Sequence, residues 1–228
     1  MKLKNSFRDL TKFERTLWLS SVAVVALSSI LVPDPDMISA VASLIGVTAL
    51  IFVAKGYVLG QLLTIAFSVL YGIVSWNAAY YGEMITYLGM SAPAAVAATI
   101  AWLKNPYKNS AEVEVARLSR GKVAGLFLAT AVTTVLFYFL LGILGTSNLP
   151  VSTVSVTTSF LAATLLIMRS PFYALAYAAN DVVLIVLWIM EALSDPSCAP
   201  MIACFTMFLF NDLYGFLQWT RMQKRQSE

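Results

Sequence analysis

Residues 173–188 read YALAYAANDVVLIVLW, and the prediction of the fold starts from this stretch. It lies in an apolar span long enough to cross a bilayer, yet Asn180 and Asp181 stand side by side near its middle. An ionisable group at that depth costs roughly 2.5–3.5 kcal/mol, so it normally faces a protein interior or a wet cavity. Steps of three and four residues give one helix face, which carries Tyr173, Tyr177, Asn180 or Asp181, Leu184 and Trp188. Such a face can bind a flat polar solute, or it can join helices through polar contacts, and this helix alone supports both interpretations.

The composition predicts a helical membrane protein. The chain has 228 residues, of which 59% are hydrophobic and 12% are charged, and its mean hydropathy is +0.78. Such a chain has too few polar residues to cover a water-exposed surface. Its apolar runs are continuous and lack the alternation of membrane strands, so helices are favoured. The sequence has no histidine, which excludes histidine-based proton relays and metal sites, and we interpret Cys198 and Cys204 as small apolar residues.

Eight apolar spans follow one another along the chain. They cover about residues 16–32, 37–54, 57–76, 84–103, 123–145, 152–168, 171–193 and 199–219. The first span follows a basic N-terminal segment, and Pro33 and Asp34 follow it where a signal peptide would have small residues. We therefore predict a retained first helix.

The basic residues fall in alternate connections between the spans. They are Lys2, Lys4, Arg8, Lys12 and Arg15 before the first span, Lys55 after the second, Lys104, Lys108, Arg117, Arg120 and Lys122 after the fourth, Arg169 after the sixth, and Arg221, Lys224 and Arg225 after the eighth. The other four connections contain Asp34, Asp36, Glu83, Glu191 and Asp195 and no basic residue. By the positive-inside rule, this pattern predicts that both termini are cytoplasmic.

The long polar connection 104–122 divides the chain near its middle. Spans two to four and six to eight look like two copies of one three-helix unit, with span five as a linker. Lys55-Gly56-Tyr57 and Arg169-Ser170-Pro171 each open a middle helix, and Trp102 and Trp219 each close a last helix. The predicted division is residues 1–36 for a cytoplasmic N-terminus and extra helix, 37–103 for the first repeat, 104–150 for the loop and linker helix, 151–221 for the second repeat and 222–228 for a cytoplasmic tail.

The first unit has its own polar stripe on its middle helix. The stripe consists of Tyr57, Gln61, Thr64, Ser68, Tyr71 and Ser75. A single linker helix keeps the two units in the same orientation, so we predict parallel repeats with a substrate site between them near mid-depth. Two equivalent polar faces favour a site over simple helix association.

The last span and the fourth span add further polar residues. Asn211 and Tyr214 share a face of the last span, and Asp212 is a second carboxylate within it. We interpret Trp219 as an anchor at the membrane interface. Glu83 is expected to be solvated or to lie at a helix start, with a functional role as the less favoured alternative.

With these residues in place, the chain resembles the PnuC family of bacterial vitamin transporters over about residues 12–226. The resemblance is carried by VAKGYVLGQ at 53–61, YYGEMITYLGM at 80–90, RSPFYALAYAANDVVLIVLW at 169–188 and FNDLYGFLQW at 210–219. It implies an all-α membrane protein of three helices, one linker helix and three helices, here preceded by one extra helix. It also implies a homotrimer in the bacterial cytoplasmic membrane that takes up nicotinamide riboside by facilitated diffusion without ion coupling. We expect no cofactor, and the basic residues of the short connections indicate topology rather than binding to nucleic acid. A cytoplasmic kinase then phosphorylates the vitamin and so retains it.

The cargo is less well defined by this resemblance. Nicotinamide riboside carriers of the family tend to have a Trp, an Asn four residues later and an aromatic residue three beyond that, where this chain has Tyr177, Asp181 and Leu184. The fourth span has Tyr87 and Ala95 where amide residues are expected. Relatives with other cargo resemble thiamine, riboflavin or deoxynucleoside carriers, and these remain the alternatives.

The predicted substrate-binding residues all lie within the polar faces described above. They are Gln61, Thr64, Tyr71, Tyr173, Tyr177, Asn180, Asp181, Trp188, Asn211 and Tyr214. Aromatic rings would stack on the base, amides and Asp181 would bind hydroxyl and amide groups, and Asp181 could offset the positive charge of nicotinamide riboside. A membrane enzyme is disfavoured because the sequence offers no nucleophile–base pair, metal cluster or phosphate loop. A scaffold without transport would leave the polar faces as helix contacts only.

Overall fold

The computed structural model describes residues 6–32, 36–146 and 148–228. The predicted basic residues Lys2 and Lys4 and the predicted break at Pro33 and Asp34 lie outside the described residues. Among the described residues, eight helical segments are long and apolar enough to cross a membrane. This confirms the eight predicted spans and the all-α membrane class.

Nine α-helices of the described part of the chain make up these spans. They are α1 (Lys12–Leu31), α2 (Met37–Ala54), α3 (Val58–Asn77), α4 (Tyr81–Ile85), α5 (Ala92–Lys104), α6 (Arg120–Leu144), α7 (Leu149–Ile167), α8 (Phe172–Ala192) and α9 (Ala199–Gln226). A π-helical segment, Thr86–Ser91, joins α4 to α5 within one span, and a short 3-10 turn, Pro196–Cys198, precedes α9.

Polar residues at the helix ends determine where the first two spans begin. Thr11 and Glu14 form a capping box at the start of α1, in which the Thr11 N–H donates to the Glu14 carboxylate and the Glu14 N–H donates to the Thr11 hydroxyl. The carboxylate of Asp36 accepts hydrogen bonds from the N–H groups of Ile38 and Ser39 at the start of α2. These side chains satisfy backbone donors that would otherwise have no partner at the helix ends.

The π-helical segment ends two residues before Pro93 in the fourth span. Proline has no N–H to donate to the preceding turn, so the regular helical hydrogen bonding is interrupted here. The N–H of Ala92 instead donates to the carbonyl of Tyr87, five residues earlier. The wider turn changes the direction of the side chains around it, and both Tyr87 and Ser91 face the centre of the bundle.

Two turns of the same kind end α2 and α7. Each contains one residue with a left-handed backbone, Gly56 with φ of +69° and Arg169 with φ of +57°. The amides at these two turns bond back to the preceding helix in the same pattern, at 2.9 Å in the first turn and 3.0 Å in the second. When Gly56 is matched with Arg169, α3 aligns with α8. Thr64 then takes the position equivalent to Tyr177, and Ser68 takes the position equivalent to Asp181.

The helices pack in two similar groups. α2 packs on α3 and α3 on α5 in the first group, while α7 packs on α8 and α8 on α9 in the second. The two groups meet through α2 against α9 and through α5 against α7, which are corresponding pairs. These contacts are those expected of two repeats, and the repeat relation itself stays a prediction. α1 packs against α2 and α9, and α6 packs against α7 and α4, so both lie at the periphery.

The connections with basic residues meet at one end of the bundle, which we call the basic face. Residues 105–118, which we call the strap, cross this face between the two groups of helices. The strap donates one hydrogen bond to each of the matched turns, from the N–H of Val113 to the carbonyl of Gly56 at 3.1 Å and from the N–H of Ala116 to the carbonyl of Arg169 at 3.0 Å. The side chain of Gln226 accepts from the N–H of Val115 at 2.7 Å, so the end of α9 also holds the strap.

The acidic connections meet at the opposite end, which we call the acidic face. Asp36, Glu191 and Asp195 line a single cavity of about 220 Å³ there, which we call the acidic vestibule. Trp188 also lines this vestibule on the side of the bundle. The separation of basic from acidic connections, predicted from the sequence, is therefore present among the described residues.

Two residues lie in surroundings that differ from the predicted ones. Trp219 is fully buried, its indole N–H donates to the carbonyl of Val53 at 2.9 Å, and its ring contacts those of Trp102 and Tyr173. The prediction of an interface anchor was therefore wrong, because this tryptophan joins α9 to α2 inside the bundle. Glu83 lies in the first turn of α4, as one expectation had it, but it is fully buried and not solvated.

Candidate substrate-binding site

A cavity of about 50 Å³ lies at the centre of the bundle, between the two groups of helices. We call it the central cavity. Its lining is Gly46, Ala49, Leu50 and Val53 of α2, Thr64, Phe67 and Ser68 of α3, Tyr87 and Ser91 of the π-helical segment, Leu166 of α7, Tyr173, Tyr177 and Asp181 of α8, and Phe208 and Asp212 of α9. The cavity is therefore formed by both middle helices and both last spans of the predicted repeats.

Matched positions of the two groups line the central cavity together. Val53 and Leu166 are the next-to-last residues of α2 and α7, and both line it. Thr64 of α3 and Tyr177 of α8 are a second such pair, and Ser68 and Asp181 are a third. The first group supplies small hydroxyl side chains at these positions, while the second supplies a ring and a carboxylate. A cavity between two similar groups thus has two chemically different walls.

Asp181 and Asp212 are the acidic groups of the central cavity. They belong to α8 and α9, are 2% and 3% exposed, and interact with each other. Tyr173 and Tyr177 lie on the same wall, with their ring centroids 6.2 Å apart. None of the described residues that line the cavity is basic. The wall can therefore hold a polar, flat or positively charged solute.

Four of the ten predicted site residues line the central cavity, namely Thr64, Tyr173, Tyr177 and Asp181. The structure brings these four together with Asp212, which the sequence had identified as a second carboxylate in the membrane. The other six predicted residues lie around the cavity but outside its lining.

The two predicted asparagines contact neighbouring helices. The amide oxygen of Asn180 accepts hydrogen bonds from the hydroxyls of Ser155 at 3.1 Å and Thr158 at 2.8 Å, both on α7. The amide nitrogen of Asn211 donates to the hydroxyl of Ser21 on α1 at 3.0 Å. In this conformation both amides join helices, which is the alternative that the sequence had left open.

Tyr71 and Trp188 close the central cavity towards the acidic face. The indole N–H of Trp188 donates to the hydroxyl of Tyr71 at 2.8 Å, and both side chains are fully buried. The ring of Tyr71 also packs edge-on against Tyr87 and Phe205. Trp188 faces the acidic vestibule on its other side, so this hydrogen-bonded pair separates the vestibule from the cavity.

Gln61 and Tyr214 lie towards the basic face. The hydroxyl of Tyr214 donates to Glu14 at 2.9 Å, and Glu14 also forms an ion pair with Lys55 at 3.1 Å. This contact connects α9 to α1 and lies outside the central cavity. Gln61 is fully buried, and neither its amide nitrogen nor its amide oxygen has a hydrogen-bond partner among the described residues.

Several residues of the cavity were not predicted from the sequence. α2 contributes four lining residues, of which Gly46 makes room for the ring of Phe208. A Cβ atom at Gly46 would lie 2.3 Å from that ring. The signal available in the sequence was the run of small residues along α2, since small residues mark close helix packing in membranes. Tyr87, noted only as a departure from the expected amides, also lines the cavity.

The acidic vestibule carries negative charge next to the closed side of the cavity. Hydrogen bonds from the side chain and the backbone N–H of Ser197 lower the pKa of Asp195, so this carboxylate stays ionised at neutral pH. None of the described residues that line the vestibule is basic. The vestibule therefore favours the approach of cations over anions.

An eight-span helical bundle with a central cavity between two similar groups of helices, mainly apolar but with two carboxyl groups and several hydroxyls in its lining, is typical of a membrane transport protein. The comparison with known proteins gives the family. A sequence model described as nicotinamide mononucleotide transporter matches residues 36–221, and the chain belongs to this family of PnuC vitamin transporters. Its relatives are transporters and not enzymes.

Two curated relatives and one solved structure are similar over nearly the whole chain. The nicotinamide riboside transporter PnuC of Neisseria mucosa is 26% identical over 97% of this chain and 86% of the relative. The protein of the same name from Haemophilus influenzae is 24% identical over 98% of this chain and 97% of the relative. A crystal structure of the vitamin B3 transporter PnuC, 26% identical, matches with a TM-score of 0.84 over 95% of this chain and 94% of that chain.

Proposed function

We propose that this protein takes up nicotinamide riboside across the bacterial cytoplasmic membrane by facilitated diffusion. Two relatives are named as nicotinamide riboside transporters, and the observation that carries the proposal is the wall formed by Tyr173, Tyr177, Asp181 and Asp212. Nicotinamide riboside has a flat, positively charged ring and a sugar with several hydroxyls. Two tyrosine rings and two carboxyl groups, with no basic residue beside them, suit such a solute.

Each wall of the central cavity has a separate role in this proposal. The rings of Tyr173 and Tyr177 pack against the pyridinium ring. The carboxyl groups accept hydrogen bonds from sugar hydroxyls and offset the positive charge. Thr64, Ser68 and Ser91, which also line the cavity, provide hydroxyls for the ribose or the amide. Asn180, Asn211 and the other predicted residues outside the lining keep helices in place in this conformation.

Transport requires the cavity to widen and to open to each face in turn. A volume of about 50 Å³ is well below the roughly 300–1,000 Å³ of typical ligand pockets, so the two groups of helices move apart to admit the cargo. Trp188 and Tyr71 close the path on the acidic side. Trp102, Trp219 and the strap close it on the basic side. Rocking of the two groups about the cavity would open these closures alternately.

We further propose that the basic face and both termini are cytoplasmic. The excess of lysine and arginine at that face supports this orientation. Phosphorylation of the vitamin by a cytoplasmic kinase would retain it and drive net uptake. Assembly as a homotrimer is proposed from the family resemblance alone.

Uptake into liposomes tests the proposal. The purified protein should transport labelled nicotinamide riboside, and a related vitamin or nucleoside such as thiamine, riboflavin or a deoxynucleoside is the alternative cargo. Asp181→Ala should abolish uptake while the helical content is kept, and Asn180→Ala should weaken folding more than cargo affinity. A folded protein that transports none of these solutes would refute the carrier function, and transport of an alternative solute alone would refute the proposed cargo.

A further inference from the structure

We propose that Gln61 is a selectivity residue on the path from the central cavity to the basic face, where its side-chain amide binds the hydrogen-bonding edge of the cargo's ring as the bundle opens. In nicotinamide riboside this edge is the carboxamide, which has an acceptor oxygen and donor N–H groups in one plane. The inference rests on the proposed function, because it assigns a recognition step to the same transport path. It adds a second point of contact for the cargo, outside the central cavity.

The unpaired amide of Gln61 is the first observation. The side chain is fully buried, and neither its amide nitrogen nor its amide oxygen has a hydrogen-bond partner among the described residues. Buried polar groups of proteins are nearly always hydrogen-bonded, because an unpaired group retains the full cost of its dehydration. The amides of Asn180 and Asn211, by contrast, bond to neighbouring helices. Gln61 therefore offers a free donor and a free acceptor on one planar group.

The position of Gln61 on α3 is the second observation. Thr64 and Ser68 follow it by three and seven residues, so the three side chains share one face of the helix, and the other two line the central cavity. α3 begins at the basic face, and three residues of helix span about 4.5 Å. Because helical side chains lean towards the N-terminus, the amide of Gln61 lies beyond the cavity in the direction of that face. A solute that leaves the cavity along α3 towards the basic face passes this amide.

The matched position in the second group of helices is the third observation. When Gly56 is matched with Arg169, Gln61 corresponds to Ala174 of α8. Ala174 is fully buried, so a methyl group fills the position that the amide occupies in the first group. The depth of the position therefore does not require a polar side chain, and helix packing alone does not account for the amide.

The closure towards the basic face contains a second free polar group. The rings of Trp102 and Trp219 contact each other there, with centroids 5.5 Å apart. The indole N–H of Trp219 donates to the carbonyl of Val53, whereas that of Trp102, which is equally buried, has no acceptor among the described residues. The free groups of Gln61 and Trp102 gain partners when this closure opens and a polar solute or water enters between the helices.

A planar edge with an adjacent donor and acceptor is the chemical feature that fits Gln61. The amide nitrogen of Gln61 donates to the oxygen of a carboxamide while its amide oxygen accepts from the carboxamide N–H, so two parallel hydrogen bonds join the planar groups. The riboside of unsubstituted pyridine has the same charged ring and sugar but lacks the carboxamide. It leaves both groups of Gln61 unpaired, and a site that hydrogen-bonds a group discriminates against the analogue without it.

Uptake of these two ribosides into liposomes tests the inference. The measured quantity is the ratio of their uptake efficiencies, each taken as the initial rate divided by a low solute concentration. This ratio cancels any change in how readily the bundle itself opens. The wild-type protein should favour nicotinamide riboside. Gln61→Leu should reduce this preference by about tenfold, the effect expected for two hydrogen bonds between neutral groups. Gln61→Asn keeps the amide and should retain most of the preference.

Thr146→Val is the matched control. Thr146 also has a buried polar group without a partner among the described residues, but it follows α6 and does not line the central cavity. Its loss should leave the ratio unchanged. Equal losses of uptake for both ribosides in Gln61→Leu would show that Gln61 acts only on the opening of the bundle, and would overturn the inference. Equal uptake of both ribosides by the wild type, or a reduced ratio in Thr146→Val, would also overturn it.

The outcomes distinguish this inference from the proposed function. If thiamine is transported instead of nicotinamide riboside, the proposed cargo fails. The amino group and the neighbouring ring nitrogen of thiamine form the same kind of edge, so the ratio is then measured with thiamine and its analogue without the amino group. A reduced ratio in Gln61→Leu supports the inference, and an unchanged ratio overturns it. A folded protein that transports no solute refutes the carrier function and this inference with it.

Discussion

Removal of Glu14 should destabilise the protein far more than removal of a surface carboxylate. Glu14 is 1% exposed and its carboxylate binds Lys55 at 3.1 Å and the hydroxyl of Tyr214 at 2.9 Å, so it holds α1, α2 and α9 together. Glu14→Ala leaves the ammonium group of Lys55, which is 11% exposed, without its partner. Loss of one member of a buried ion pair costs roughly 3–5 kcal/mol, and we expect about 3 kcal/mol because Lys55 retains some access to water.

The chain contains its own control in the ion pair between Arg225 and Glu112. Its side chains are 56% and 19% exposed, so it is screened by water. Such pairs contribute roughly 0.2–1 kcal/mol. Glu112→Ala should therefore have a much smaller effect than Glu14→Ala, although each variant removes one carboxylate from the basic face.

Thermal unfolding of the detergent-solubilised protein, followed by circular dichroism, measures both effects. For a chain of this size about 1 kcal/mol corresponds to a shift of roughly 2–4 °C, so Glu14→Ala should lower the apparent melting temperature by about 6–12 °C. The double variant Glu14→Leu with Lys55→Met should recover most of this loss, because it leaves no unpaired buried charge. Equal shifts for Glu14→Ala and Glu112→Ala, or no recovery in the double variant, would refute the reasoning.

Three further variants test other parts of the structure. Gly46→Val places a Cβ atom 2.3 Å from the ring of Phe208 and should abolish cargo binding, measured by calorimetry, because the new side chain fills the central cavity. Gly125→Val is the control, since nothing lies within 4 Å of a Cβ atom there, and it should bind cargo like the wild type. Gln61→Leu removes a buried amide that has no hydrogen-bond partner among the described residues, so it should stabilise the protein by about 1–3 kcal/mol and raise its apparent melting temperature. An unchanged or lower melting temperature would contradict the unsatisfied amide. Trp188→Phe removes the buried hydrogen bond to Tyr71, which is worth about 1 kcal/mol. The initial uptake rate should therefore change by up to about fivefold while the cargo affinity stays the same. An uptake rate equal to that of the wild type would argue against the role of Trp188 in closing the cavity.

The spans and the separation of charges could be predicted because both depend on local composition. A bilayer requires about 20 apolar residues per helix, and basic residues stay on one side, so neither prediction needs knowledge of how helices pack. The family resemblance was likewise carried by short local motifs and agrees with the family match. Hydropathy does not, however, distinguish the surface of a bundle from its interior, and this is why buried Trp219 was mistaken for an interface anchor.

The site was predicted only in part because adjacent polar residues point in different directions on a helix. Both Asn180-Asp181 and Asn211-Asp212 place their aspartate in the central cavity and their asparagine against a neighbouring helix. Neighbouring residues differ by about 100° around the helix axis, and the sequence does not show which of the two faces the centre. Tyr214 shares the face of Asn211, as predicted, but α1 covers that face.

The strap bonds to one carbonyl in each group of helices, at Gly56 and at Arg169, through amides only three residues apart. Three residues of chain span at most about 10–11 Å, so this short tether limits how far the two turns can part while both bonds last. For the bundle to widen at the basic face, one of these two backbone hydrogen bonds has to break or lengthen. The closure at the acidic face, by contrast, consists of the aromatic side chains alone. The two ends of the path are mechanically unequal, and the difference lies in a loop that does not line the central cavity.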